Sequence, residues 1–362
     1  MSKKLSVGFL SYWGIGRGLA EVTRCYAKML QDDCNVFILK QGTNKINSEF
    51  KNINCKVTEH PEYLVDEETF RNWIKENKID VVVFNEYDQW TENPVDLVKI
   101  CQGYKVKTIG FLVLERLTHD QLKRYDRIIV PTISYARRLR QMRFRTFNYV
   151  PMSIDLKEFE ITEMAPNDKF TFFHPAGYGG VHERKNTKAV IEAFKRLDPE
   201  MYKLIISTQK DLKLGELPKN IELIEKDMSR KELLKLYQLA DVTVLPSRWE
   251  TIGIPILESL ASGTPVITTN APPMNEFVVN TQNGYTVYCK PKKIEGINLP
   301  SMEVEIDDLA RKMESINNDV LIHMQRKMAR KKVEADYDLE KNKKFLLFVL
   351  NYLNKDSHKY GV

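Results

Sequence analysis

ADVTVLPSRWETIGIPILESLASGTPVI, Ala240–Ile267, is the stretch on which the fold turns. Val242–Leu245 is a short apolar run rich in β-branched residues and reads as a buried strand. Pro255 suits the first turn of a helix and Gly263 its end, so Pro255–Ser262 reads as a helix with Glu258 in its first turn. Pro265–Thr268 is a second strand. Strand, loop, helix, strand in so few residues makes a parallel pair with a crossover helix, the unit of a doubly wound α/β sheet. In such sheets ligands bind outside the carboxyl ends of the strands, which marks Pro246–Gly253 as a functional loop.

The same alternation runs outward in both directions. Leu5–Leu10, Asn35–Leu39, Val81–Phe84, Thr108–Val113 and Arg127–Val130 read as strands. Leu19–Leu30, Thr69–Lys75, His119–Tyr125 and Tyr135–Met142 read as helices between or after them. Pro151–Asn167 has mixed charge, Pro near both ends and no sustained period, and reads as a linker. Beyond it come strands Phe170–His174, Lys203–Ser207 and Ile221–Ile224 and helices Thr187–Leu197 and Arg230–Leu239. Leu309–Leu353 is helical in pattern, with a basic middle at Arg326–Lys332. The expected architecture is α/β: two tandem doubly wound, Rossmann-like domains facing a central cleft. With 362 residues, two cores are the natural division. The expected bounds are 1–158, 159–335 and a terminal helical piece, 336–362.

Composition excludes several classes. Hydrophobic residues at 43% and charged residues at 29% argue against disorder, and 16 Gly with 15 Pro are too few for a low-complexity chain. Five widely spaced cysteines without a CxxC argue against a disulfide framework and fit a reducing cytosol. Lys3 and Lys4 precede an apolar run too short for a secretory signal and without a cleavage site, so it reads as the first strand. No run approaches the ~20 apolar residues of a membrane span. The expected location is cytoplasmic, at most peripheral to a membrane.

Glu250 and Glu258 have seven residues between them, Gly253 among these. A helix N-terminus offers unpaired N–H groups to a phosphate, and a carboxylate on each side suits hydroxyls at both ends of a nucleotide-sugar. The competing account is that Glu258 complements the helix dipole and Glu250 is solvated. Together with the G-x-P-x-x-E core, the following ASGTPVI and the preceding ADVTVLPSRWE, this spacing resembles the signature of retaining glycosyltransferases of the GT-B fold, family GT4. NTQNGYTV (Asn280–Val287), RIIVPTISYARRL and VPMSID (Val150–Asp155) resemble further segments of that family, in the family's order.

The resemblance implies roles. Glu250 approaches the donor sugar, Glu258 binds the ribose, and amides around Thr251, Ile252 and Gly253 hold the sugar and diphosphate. Lys185 matches the family's diphosphate-binding lysine. The family arginine is absent from its usual place, where Tyr178-Gly179-Gly180 stand. Arg184 is the substitute, or else a solvated helix-start residue. In the N-terminal loop Trp13–Gly18 the pattern GxGxG, with Leu39-Lys40-Gln41 where a dinucleotide fold carries an acid, fits a GT-B diphosphate loop better than a dinucleotide site. Gly16 is the candidate there. Arg17 adds charge or is merely exposed. The family histidine after Thr108–Val113 is missing; Glu115 stands nearest, as an acceptor-side group or as a partner of Arg116 or Arg124, and His119 follows. Asn85, Glu86 and Tyr87 also follow a strand on the presumed acceptor side. The base is expected against Lys226, Asp227 and Met228.

Retaining transfer from a UDP- or GDP-sugar to a hydroxyl is the implied reaction, with a role in polysaccharide biosynthesis. No separate cofactor is implied. No metal is expected, since no DxD pair follows a strand and the six histidines form no ligand-spaced cluster. The other accounts are a nucleotide-sugar epimerase of the same fold and an inactive binding subunit of another transferase. Glycan, lipid-linked saccharide, protein, small molecule and nucleic acid all stay open as acceptors. One charge feature is local. Lys123–Arg145 holds eight Lys and Arg against Asp126, a surplus of +7 that exceeds the +6 of the whole chain. In YARRLRQMRFR, Arg137, Arg138, Arg140 and Arg143 interleave with apolar residues, which suits an anionic membrane or a polyanionic acceptor, or else makes a solvated basic helix.

Overall fold

A computed structural model describes residues 4–14, 18–85, 95–111, 119–161, 168–178, 183–297, 299–317 and 319–359. The chain divides into two compact units, Met1–Ser153 with Leu339–Val362, and Ile154–Asp338. The seams thus fall a few residues away from 158/159 and 335/336.

The first unit runs β1 (Ser6–Ser11), α1 (Gly18–Leu30), β2 (Asn35–Gln41), α2 (Ser48–Lys51), β3 (Lys56–His60), α3 (Glu67–Asn77) and β4 (Val81–Asn85). It continues α4 (Leu97–Gly103), β5 (Lys107–Phe111), α5 (His119–Leu122), β6 (Arg127–Val130), α6 (Ile133–Gln141) and β7 (Phe147–Tyr149). The seven strands stand in the order β3-β2-β1-β4-β5-β6-β7, and every pair is parallel. Central strands β1 and β4 are buried throughout, as continuous apolar runs of a doubly covered parallel sheet must be. Edge strands β3 and β7 (KVTEH and FNY) are short and partly polar, so hydrophobic periodicity does not reveal them.

The second unit opens with a 3₁₀ turn (Leu156–Glu158). Then come β8 (Phe170–Gly177), α7 (Thr187–Phe194), β9 (Tyr202–Thr208), β10 (Ile221–Glu225), α8 (Arg230–Leu239), β11 (Val242–Leu245), α9 (Ile254–Ala261), β12 (Val266–Thr269), α10 (Met274–Phe277) and β13 (Gly284–Val287). Its six parallel strands stand in the order β10-β9-β8-β11-β12-β13. A small antiparallel ribbon, β14 (Cys289–Pro291) with β15 (Met302–Val304), precedes α11 (Ile306–Ser315) and α12 (Asp319–Asp336). Gly284 begins β13 at φ +144°, where an added Cβ would stand 1.9 Å from the Val266 carbonyl oxygen. Glycine is the residue that lets the two backbones meet there.

The segment expected as one helical run is three helices, because its apolar face changes partner. Two arginines of the basic middle of α12 turn inward, while Lys327 and Lys331 stay exposed: Arg326 donates to the Ala240 carbonyl at the end of α8, and Arg330 donates to the Ala261 carbonyl at the end of α9. Both cations meet the electronegative ends of helices. The last helix, α13 (Leu339–Lys359), belongs to the first unit. It packs on α1, Lys343 pairs with Asp33, Asn342 donates to Ser153 Oγ at 2.9 Å, and the Tyr352 ring carries Arg127 at 4.3 Å.

Helix α6 buries Tyr135, Ala136 and Leu139 and exposes Arg137 and Arg140, with Arg138 half-buried and Arg143 exposed just beyond. Part of the local surplus is spent inside the unit: Arg124 pairs with Asp96 at 2.5 Å and Lys123 with Asp120 at 3.3 Å. Among the described residues, no helix is long and apolar enough to cross a membrane.

Candidate active site

In the second sheet the strand order reverses between β8 and β11, which are paired neighbours whose following loops therefore meet. The loop after β8 carries Arg184 and Lys185, and the loop after β11 carries Glu250. Topology brings them together: Lys185 Nζ donates to Glu250 Oε1 at 2.6 Å, and Arg184 Nη1 to Glu250 Oε2 at 3.3 Å. Ser247 Oγ adds a third hydrogen bond to Oε1 at 2.8 Å. The backbones are stitched as well, with the Arg248 amide donating to the Arg184 carbonyl at 2.8 Å. Arg248 also reaches Glu183 and Glu303, fixing the rim of both loops.

His174, the buried end of the apolar part of β8, sets this geometry from below. Its Nδ1 lies 2.7 Å from the Val244 carbonyl and its Nε2 3.0 Å from Thr187 Oγ1, which ties β11 and the first residue of α7 to one ring. A carbonyl only accepts, so Nδ1 carries the proton and Nε2 accepts from the threonine hydroxyl. Burial, aided by the Lys185 charge, pushes the ring down to about 4 despite the Val244 contact. The histidine is neutral at neutral pH.

Glu250 and Lys185 are both buried. Burial alone would push the carboxyl up, but the charges and hydrogen bonds of Lys185 and Arg184 outweigh it and hold Glu250 at about 2. Burial also lowers the Lys185 ammonium, with Glu250 acting against that shift. The arrangement is a desolvated ion pair with a second, quarter-exposed cation beside it.

Gly253 is the N-cap of α9 at φ +86°, a left-handed conformation that turns the chain into the helix at Ile254. Pro255 is therefore the second helical residue and Glu258 the fifth. Glu258 stands in the second turn, not the first, and is not placed to complement the dipole. It is buried, and its oxygens face α8: Arg230 Nη1 donates to Oε1 at 2.8 Å and the Tyr237 hydroxyl to Oε2 at 3.3 Å. Its charge reaches Lys185, so the two carboxylates share one electrostatic site. Thr251 is half-buried and Ile252 buried in the turn before α9. Met228 is half-buried between β10 and α8, where Lys226 pairs with Glu232 and Asp227 accepts from Gln209.

On the first unit, Gly16, Arg17, Glu86, Tyr87 and Glu115 lie outside the described residues, and so do Gly179 and Gly180. Asn85 is buried, and its amide donates to the Leu19 carbonyl and Thr23 Oγ1, both at 2.7 Å. That contact ties β4 to α1. Among the described residues no group of His, Cys, Asp and Glu is arranged to hold a metal ion. Arg230, Tyr237, His174 and Ser247 were not singled out by sequence reasoning. Each acts through a partner distant in the chain or carries no motif of its own.

Two Rossmann-like units with a last helix returning to the first define the GT-B class of fold, and solved structures agree. Sucrose-phosphate synthase from Thermosynechococcus elongatus has a TM-score of 0.75 at 14% identity, covering 98% of this chain and 100% of that one. Anabaena HepE, solved with UDP and glucose, has a TM-score of 0.73 at 12% identity, covering 96% and 100%. At such identities the likeness is one of fold. Sequence carries it further: residues 166–328, most of the second unit, match the family model Glycosyl transferases group 1. Glycogen synthase of Mycobacterium tuberculosis is 34% identical over 112 residues, which is 31% of this chain and 24% of the relative. The chain thus spans about a quarter of the length of that curated relative.

Proposed function

We propose that the protein is a retaining glycosyltransferase, moving a sugar from a nucleotide diphosphate sugar to a hydroxyl of a glycan or another hydroxyl-bearing acceptor in polysaccharide biosynthesis. The observation that carries the reading is the convergence of Lys185 and Arg184 on Glu250 beside the N-terminus of α9, at the switch point of the sheet that matches the family. Bond cleavage at the anomeric carbon leaves negative charge on the departing diphosphate, and fixed cations and amides where that charge grows are the main catalytic device. Lys185, Arg184 and the amides at Thr251–Gly253 supply it without a metal ion. Glu250 accepts hydrogen bonds from the donor sugar hydroxyls, and Glu258 from the ribose. The base lies along the β10 loop near Met228, and the HepE complex with UDP makes UDP-sugars the first donors to try, GDP-sugars next.

The first unit would supply the acceptor side, with Gly16 near the diphosphate and Glu115 near the acceptor hydroxyl. The exposed Arg137, Arg140 and Arg143 support a peripheral contact with an anionic membrane.

A panel of UDP- and GDP-sugars tested by thermal shift, followed by nucleotide release with and without acceptor, tests the function. One donor should raise the melting temperature and release its nucleotide, and Glu250→Gln should abolish release. NMR of the product should show the donor's anomeric configuration. Melting temperatures that no nucleotide-sugar moves would sink the proposal.

A further inference from the structure

Arg230 opens α8 immediately after the β10 loop, and its guanidinium is clamped between two carboxylates. Nε donates to Glu158 Oε2 and Nη1 to Glu258 Oε1, both at 2.8 Å, while its Cζ lies 5.6 Å from the centre of the Phe159 ring. Tyr237, two helical turns further along α8, is fully buried and donates to the other Glu258 oxygen. One face of α8 therefore grips both oxygens of a carboxylate that belongs to α9. The helix has other means of holding its own place: the Ser229–Glu232 capping box at its start, and apolar contacts of Leu233, Leu234 and Leu236 with the core around Phe173. What the Arg230 and Tyr237 contacts add is a fixed orientation for Glu258.

A free glutamate has three rotatable bonds, and gripping a ligand costs it that freedom. A carboxylate already oriented by a planar, bidentate-capable guanidinium and a phenol binds a diol without that cost. Because Glu158 and Phe159 hold Arg230 in turn, the orientation of Glu258 is set from the segment that opens this unit.

We propose that Arg230, with Tyr237, is a positioning residue for the donor ribose, so that recognition of the ribose hydroxyls depends on Arg230 although Glu258 makes the contact. The inference rests on the reading of Glu258 as the ribose acceptor. It makes the site selective for ribonucleotides over deoxyribonucleotides, and that selectivity is the quantity Arg230 controls.

Isothermal titration of the full chain with UDP, GDP and their 2′,3′-dideoxy counterparts tests it. The wild type should bind the ribonucleotide at least about tenfold more tightly than its dideoxy form, the worth of a pair of hydrogen bonds to a charged group. Arg230→Gln should cut that ratio about threefold or more by weakening the ribonucleotide, with dideoxynucleotide affinity held within about twofold. Tyr237→Phe, which keeps the packing, should move the ratio the same way by less, and Arg230→Lys should restore part of it. Equal weakening of both nucleotides by Arg230→Gln, or an unchanged ratio, would overturn the proposal. Glu258→Gln separates the two readings. A ratio near one in the wild type, unmoved by Glu258→Gln, removes the ribose role of Glu258 and the proposal with it. A ratio that collapses in Glu258→Gln but stands in Arg230→Gln removes the role of Arg230 alone.

Discussion

Lys185 Nζ and Glu250 Oε1 are 2.6 Å apart across 65 residues of chain, in a site from which water is largely excluded. Removing Lys185 takes the nearest cation from a buried carboxylate and leaves Arg184, at 3.3 Å and a quarter exposed, and Ser247 to compensate it. Lys185→Met should destabilise the protein by about 3–5 kcal/mol in urea unfolding. Adding Glu250→Gln to that variant should recover part of the loss, because the under-compensated carboxylate is gone. A double variant as unstable as the sum of the singles would show that the two groups do not couple.

His174 makes stability depend on pH in a separate window. Its ring is pushed down to about 4 in the fold, so in the unfolded chain it takes up a proton first as pH falls. Stability is full above about 6.5 and declines towards pH 4, by about 3 kcal/mol in total. Glu250, held at about 2, adds a loss only below the ordinary carboxylate range of about 4.5. His174→Gln should therefore flatten the stability profile between pH 6.5 and 5 while leaving the steeper acid limb in place. A chemical-denaturation series across that range reads the difference.

Two glycines separate backbone approach from backbone turn. At Gly284 an added Cβ would collide with the Val266 backbone, so Gly284→Ala should cost more than about 3 kcal/mol or prevent folding of the second unit. At Gly253 the nearest atoms are 3.3 Å away on the flexible side chain of Ile256 and on the Phe277 ring, and the strain comes from φ +86°. Gly253→Ala should cost only about 1–2 kcal/mol. Its larger effect should be on donor affinity, since the amides before α9 shift with that dihedral.

Much of this was legible in the sequence, and what escaped has physical reasons. Alternating apolar runs place the central strands, because a strand buried on both faces must be apolar throughout; β3 and β7, half wet at the edges, escape that signal. Glu250, Lys185 and Glu258 stand out in the sequence through the motif it resembles, and the fold brings Lys185 and Glu250 into contact. A helix starting at Pro255 makes Glu258 its fourth residue, whereas the left-handed Gly253 starts α9 at Ile254 and makes Glu258 the fifth, just past the first turn. Arg184, open between a site role and a solvated one, turns towards Glu250. Arg230 and His174 were not legible: each contributes through partners that only the folded sheet brings near.

The exposed arginines beyond β6 give a surface prediction. If Arg137, Arg140 and Arg143 face an anionic bilayer, sedimentation with vesicles containing ~30% phosphatidylserine should fall several-fold on reversing these charges, and should fall with salt. Binding that survives the triple reversal would assign the association to another surface.

The two cations of the site differ in burial, and their effects on catalysis should differ accordingly. Lys185 is almost fully enclosed, whereas a quarter of the Arg184 side chain is open to solvent. A preorganised charge in a dry site is worth roughly 3–4 kcal/mol at the developing anion, and solvent screens an exposed one. With saturating donor, Lys185→Ala should lower kcat by about 10²–10³-fold and Arg184→Ala by about tenfold. Because the charge on the leaving diphosphate grows during bond cleavage, both losses should fall mainly on kcat, with the KM for donor changing less. Measurements belong well below the melting temperature of each variant, since Lys185→Ala also leaves the buried Glu250 with Arg184 and Ser247 as its partners. A loss confined to KM would place both cations in ground-state binding and leave the departing diphosphate to other groups.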